Sequence, residues 1–172
     1  VHHLFRLDIA TKALTDLTPG WERPLDYENV ETAFDVSPDG TEIAFHSMSV
    51  DRPYEDMAFA VYTVVPGEAP RRLWPDGPTM QRRPRYSPDG SRIAFGFAVE
   101  YPGFYGDRVR LAVSDRVADP VVLTEHWDRS CAGWEWTPDG SRLVFVAEDD
   151  ARQHLYSIAA SGGEPTVLAR GG

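Results

Sequence analysis

Short apolar runs separated by turn residues recur along the whole chain, and they alternate with a period of two. Ile43-Ala44-Phe45, Ile93-Ala94-Phe95 and Leu143-Val144-Phe145 are the clearest runs. Each lies three residues after a Pro-Asp-Gly turn signal: Ser37-Pro38-Asp39-Gly40, Ser87-Pro88-Asp89-Gly90 and Thr137-Pro138-Asp139-Gly140. In such a turn Pro presets φ, Asp bonds its own backbone, and Gly takes positive φ. An aromatic precedes each turn: Phe34, Tyr86, and Trp134 with Trp136. Every anchor therefore predicts a β-hairpin, with strand A before it and strand B after. Two further strands follow each hairpin. Strand C is expected at 60–64, 109–113 and 154–158, and strand D at 71–74, 120–123 and 165–168. Residues 3–9 and 13–17 look like strands C and D of a preceding unit. No 3.6-residue apolar period competes.

The anchors stand at 37, 87 and 137, a spacing of 50 residues twice. Four antiparallel strands at that period define a propeller blade. The predicted fold class is all-β, a partial β-propeller of about three and a half four-stranded antiparallel blades. The expected divisions are 1–20 (half blade), 30–75, 82–125 and 132–170, with no hydrolase domain in the sequence. Propellers usually have about 4–8 blades, so the chain is expected to be a piece of a longer polypeptide or to be completed by another chain.

Strand direction sorts the connections onto two faces. The repeated A–B and C–D turns share one face. The irregular D–A loops (18–33, 75–83, 124–133) and B–C loops (49–57, 99–107, 148–152) share the other. That second face collects Trp21, Tyr27, Arg52, Tyr54, Arg82, Arg83, Tyr101, Phe104, Tyr105, Trp127, Asp128 and Arg129. Loops on a rigid scaffold carry function, and Arg with aromatics is an interface composition. The competing reading is that these aromatics plug gaps between blades.

Composition narrows the partners. The chain has 172 residues, with 17 Lys+Arg against 27 Asp+Glu, and a formal charge of −10. That balance argues against nucleic acid and against anionic lipid, so no nucleic-acid or membrane partner is expected. No apolar stretch approaches the roughly 20 residues of a membrane helix. A lone Cys131 excludes an internal disulfide and a multi-cysteine metal site, and fits a reducing compartment.

Catalytic motifs are weak. No serine has Gly at both −2 and +2, so no nucleophile elbow is present. Histidines 2, 3, 46, 126 and 154 show no local pairing with Ser and Asp. Ser37-Pro38-Asp39-Gly40-Thr41 superficially resembles a sialidase Asp-box, but its Gly follows Asp directly, which suits a turn. Glu148-Asp149-Asp150 reads more simply as a solvated acidic loop than as a cation site. Cys131 reads as a buried inert thiol. No phosphate loop or dinucleotide fingerprint occurs, so no cofactor and no metal are expected.

The repeated Ser-Pro-Asp-Gly plus Ile-Ala-Phe hairpin resembles the propeller repeat shared by the TolB and prolyl oligopeptidase families. Three longer stretches resemble the second more, in its bacterial acylaminoacyl-peptidase and dipeptidyl-peptidase branch. They are Tyr101-Pro102-Gly103-Phe104-Tyr105-Gly106-Asp107-Arg108-Val109-Arg110-Leu111, Leu123-Thr124-Glu125-His126-Trp127-Asp128-Arg129-Ser130, and Ala147-Glu148-Asp149-Asp150-Ala151-Arg152-Gln153-His154-Leu155, with Ala151 where that family usually has Gly. The resemblance implies a serine peptidase whose propeller covers the active site, admits short peptides and holds the substrate's N-terminal side. It implies a separate α/β-hydrolase domain carrying Ser, Asp and His, as a partner in the same polypeptide or a companion fragment. By face and residue type, Arg52, Tyr54, Glu100, Tyr101, Arg108, Asp128 and Arg129 are the substrate-binding candidates. Asp128 and Arg129 could equally form a structural ion pair. The expected location is cytoplasmic, with a periplasmic TolB-like interaction propeller as the alternative. An oligomer of arcs is a third possibility.

Overall fold

A computed structural model describes residues 2–26, 30–49, 58–77, 80–99 and 106–171. Strands β1 (Phe5–Leu7) and β2 (Leu14–Asp16) form a two-stranded sheet. Blade one contains β3 (Phe34–Val36), β4 (Ile43–Met48), β5 (Phe59–Val64) and β6 (Arg71–Arg72). Blade two contains β7 (Arg82–Tyr86), β8 (Ile93–Phe97), β9 (Arg110–Ser114) and β10 (Val121–Val122). Blade three contains β11 (Ala132–Trp136), β12 (Arg142–Asp149), β13 (Arg152–Ala159) and β14 (Thr166–Arg170). Every pairing is antiparallel between sequence neighbours, in the order A-B-C-D. The all-β reading with three and a half blades holds. A single 3-10 turn, Val30–Thr32, leads into β3.

The three anchors fold alike because their chemistry is local. Gly40, Gly90 and Gly140 sit at φ 72, 71 and 66°, where a side chain is strained. The amide of each closes onto the carbonyl of Ser37, Ser87 or Thr137 at 2.8 Å. The Asp between them accepts the Ser37, Ser87 or Thr137 hydroxyl at 2.6 Å and the amide two residues on at 3.0 Å. These bonds hold Asp39, Asp89 and Asp139 at a pKa of about 2. Consecutive turns also touch: a methyl at Gly90 would lie 3.3 Å from Pro38 Cδ, and one at Gly140 would lie 3.5 Å from Pro88 Cδ.

The core runs between the sheets. Phe45, Phe95 and Phe145, the third residue of each apolar triplet, are fully buried. The outer strands β6 and β10 are only two residues long, shorter than their apolar runs suggest, whereas the outer strand β14 runs for five. Strands β12 and β13 are longer than expected. The segment read as a B–C loop at 148–152 is mostly strand, closed by a tight turn at Asp150 and Ala151 with φ of 50 and 56°. Two consecutive left-handed residues make the turn that matches strand twist.

Candidate functional site

On the irregular face, the loop aromatics are fixed by a second internal repeat. Leu17-Thr18-Pro19-Gly20-Trp21 and Leu123-Thr124-Glu125-His126-Trp127 share the pattern Leu-Thr-x-x-Trp. The Thr18 and Thr124 hydroxyls accept the Leu4 and Leu111 amides at 3.1 and 2.9 Å. In blade one the buried Gln81 carbonyl serves the Val61 amide instead. Each Trp then drops onto a Phe–Tyr pair. Trp21 lies 5.6 Å from Phe45 and 4.8 Å from Tyr62, and Trp127 lies 5.5 Å from Phe145 and 5.0 Å from Tyr156, all edge-on. Edge-to-face rings at this distance add about 0.5–1.5 kcal/mol to burial. Trp21 and Trp127 therefore plug their blades.

Of the sequence candidates, Arg52, Tyr54, Glu100 and Tyr101 lie outside the described residues, as do Tyr27, Phe104 and Tyr105. The other three gather on the 124–133 loop. Arg108 donates to the Glu125 carbonyl, while its Nε is buried with no partner among the described residues. Asp128 is 97% exposed. Arg129 bridges to the B–C turn: Nε and Nη2 both donate to Asp149 Oδ1, at 3.1 and 2.8 Å. Its third nitrogen donates to the Asp128 carbonyl at 2.6 Å, and the Asp128 carboxylate is more distant at 3.5 Å. The ion-pair partner is thus chiefly Asp149, whose carboxyl is held below its usual range.

A second group lies along the A strands, and of its members only Arg83 was singled out from sequence, as a loop-face residue. Asp35, Arg85 and Glu135 occupy the same repeat position, 50 residues apart. Arg83 Nη2 and Arg85 Nε both donate to Glu135 Oε1, at 2.9 and 3.3 Å. The Glu135 side chain is 60% exposed, and the two arginines are largely covered. Burial and the neighbouring Arg85 push the Arg83 guanidinium down. Half-buried Asp35 is pushed up by desolvation and accepts the Tyr86 amide at 2.7 Å. Arg83 itself has φ of 52°, inside a bulge that shifts the β7–β8 register between Arg82 and Arg85. Blade three has the same bulge, with Gly133 at φ 58° in that position. The one sequence signal for this site was Arg83 standing 50 residues before Gly133.

Nothing among the described residues completes a nucleophile. Cys131 is buried, with its thiol pushed up to about 12 by burial. The pairs His46–Asp26 and His3–Asp16, at 3.1 and 2.6 Å, are not joined by a serine hydroxyl among the described residues. No group of three His, Cys, Asp or Glu that could hold a metal occurs among them either. An apolar groove of about 610 Å³ lies between the two-stranded sheet and blade one, walled by Leu4, Phe5, Leu25, Phe34, Val36 and Ile43. Val36 is 46% exposed there, whereas Tyr86 at the same repeat position is 6% exposed against blade one.

Fold and site together define a β-propeller segment with loop-bearing and turn-bearing faces. No protein-family model matches the chain. It is 28% identical over 170 residues to dipeptidyl-peptidase 5 of Aspergillus fumigatus, an alignment covering 91% of this chain and 23% of that protein. The chain thus spans about a quarter of the length of the curated relatives it matches. Among solved structures it resembles prolyl endopeptidases, with a TM-score of 0.67 at 14% identity, covering 99% of this chain and 26% of that one. Oligogalacturonate lyase in complex with manganese is as similar in shape, with a TM-score of 0.67 at 18% identity, covering 98% of this chain and 48% of that one. Both structural likenesses are likenesses of fold. The sequence relationship is to dipeptidyl-peptidase 5, and the shape shared with the solved structures is that of a β-propeller.

Proposed function

We propose that this segment belongs to the non-catalytic propeller of a serine peptidase of dipeptidyl- or acylaminoacyl-peptidase type, and that its loop face limits access to short peptides and helps select them. The observation that carries this reading is the sequence relationship to dipeptidyl-peptidase 5 across 91% of the chain. Fold alone does not choose a chemistry, since a lyase shares it. On this reading the chemistry is done elsewhere, in a partner α/β-hydrolase domain of the same polypeptide or a companion fragment.

On this reading the substrate contacts come from Arg52, Tyr54, Glu100, Tyr101, Arg108, Asp128 and Arg129 around the loop face. The fully exposed Asp128 carboxylate is available to a peptide cation, and Arg129 holds its loop in place through Asp149. The apolar groove beside β1 receives the A and B strands that complete that blade, from the remainder of the propeller. A buried free thiol at Cys131 suits a cytoplasmic setting.

The test is denatured mass and fluorophosphonate labelling of the native polypeptide containing this segment. A labelled band several-fold longer than this chain is expected. An unlabelled band would remove the peptidase reading and leave an interaction propeller.

A further inference from the structure

His46 sits on β4 with 2% of its surface exposed, at the seam between blades one and two. Both ring nitrogens are committed. Nδ1 lies 3.3 Å from the Arg83 amide, a group that can only donate, so Nδ1 must be the acceptor. The ring proton is therefore on Nε2, directed at Asp26 Oδ2 3.1 Å away. Phe59 of β5 stands edge-on to the ring at 6.0 Å. The charged groups facing the ring are Asp26 from the D–A loop and Arg82 and Arg85 from β7. Asp35 and Glu135 stand behind the arginines.

The amide that His46 receives belongs to the strained residue. Arg83 holds φ of 52°, a left-handed conformation that is strained for a non-glycine residue. In blade three a glycine takes that position, at φ 58°. Two bonds fix the Arg83 backbone: its amide to His46, and its carbonyl to the Trp134 indole at 3.0 Å. The bulge aims the Arg83 guanidinium at Glu135.

We propose that His46 is an acid-sensitive latch: a second ring proton on Nδ1 meets the Arg83 N–H donor to donor, frees the bulge of β7, and releases Arg83 from Glu135. Atoms balance simply, since one proton is taken from solvent onto Nδ1 and Nε2–H stays on Asp26. Burial holds the neutral ring, and Arg82 and Arg85 add to that preference, while Asp26 opposes it. The folded ring therefore protonates below its ordinary 6.5, and the latch is shut at neutral pH. This inference does not depend on the peptidase reading.

The test is hydrogen–deuterium exchange on the full native polypeptide between pH 8 and 4.5, corrected for intrinsic rates, following residues 82–86 and, as reference, 132–136. Protection of 82–86 is expected to fall about tenfold per pH unit once the ring titrates, the factor for one linked proton, while 132–136 stays constant. His46→Gln, which offers an accepting oxygen and a donating amide without titrating, should keep 82–86 protected throughout. His46→Phe should leave it unprotected at both ends of the range. Constant protection of 82–86 in the wild type, an equal fall in 132–136, or a wild-type response in His46→Gln would each overturn the latch.

Discussion

The seam between blades one and two and the seam between blades two and three solve one geometric problem with different chemistry. In the second seam, two indoles do the joining. Trp134 and Trp136 donate to the Arg83 and Arg85 carbonyls at 3.0 and 2.9 Å, and the Arg92 guanidinium lies 4.8 Å over Trp136. The indole donors do not titrate. In the first seam the corresponding positions are Pro84 and Tyr86, and ionisable groups do the joining. Asp35 takes the Tyr86 amide, Glu42 takes the Tyr86 hydroxyl at 2.9 Å and the Arg116 guanidinium, and His46 takes the Arg83 amide. The Tyr86 phenol is pushed up by burial and by Glu42. A repeat can thus keep its shape while one joint rests on two indoles beside the exposed Glu135 and its arginines, and its neighbour rests on buried ionisable groups.

The largest difference to provoke is with acid. Asp39, Asp89 and Asp139 have folded pKa values of about 2, below the unfolded 3.9, so the folded state binds fewer protons in between. Their stabilisation is complete above pH 4 and is lost as pH falls toward 2, in all three blades alike. His46 is also depressed, so its share is present above 6.5 and declines as pH falls below it. Exchange should therefore weaken β7 first and both seams together only below pH 4; simultaneous loss of β7 and β11 near neutrality would erase the distinction.

Trp134→Ala should cost about 3–5 kcal/mol, since a 2%-exposed indole leaves both a cavity and an unpaired Arg83 carbonyl. Denaturant melting of the native polypeptide reads it. Tyr86→Phe keeps the ring and removes one buried hydroxyl, so it should cost only about 1 kcal/mol. Equal losses in the two variants would mean that the seams are not built differently. Away from both seams, Ala151→Gly should raise stability by about 1 kcal/mol, because Ala151 holds φ of 56° in the β12–β13 turn. An unchanged melting midpoint would contradict that strain. Arg129→Ala is the smallest: an exposed ion pair contributes under about 1 kcal/mol, so its melt should barely move while peptide KM rises.

Much of this was legible in the sequence because turn chemistry is local. Pro-Asp-Gly followed three residues later by an apolar triplet carries its own φ angles and bonds, and the 50-residue spacing supplies the architecture. The outer strands were overextended at Leu73-Trp74 and Leu123, where Leu73 and Leu123 each give a single amide to the C strand, at Val61 and Leu111, without continuing the ladder. Trp21 and Trp127 looked like face residues because sequence does not show the Phe–Tyr pair beneath them, although the repeated Leu-Thr-x-x-Trp could have been read. The Arg83 bulge was hidden for a physical reason: nothing in an arginine's side chain announces a left-handed backbone, and only its alignment with Gly133 hints at one. Asp128 and Arg129 were chosen by position, but Asp149 as the partner of Arg129 needed the fold.

The central proposal is that this propeller face screens peptides for a catalytic centre located elsewhere. The most direct measurement is kcat/KM of the native polypeptide on one cleavable N-terminal sequence, presented as a dipeptide amide, as a decapeptide and at the start of a folded protein. The account predicts turnover of the short peptides and essentially none of the folded protein. Comparable turnover of all three would contradict it.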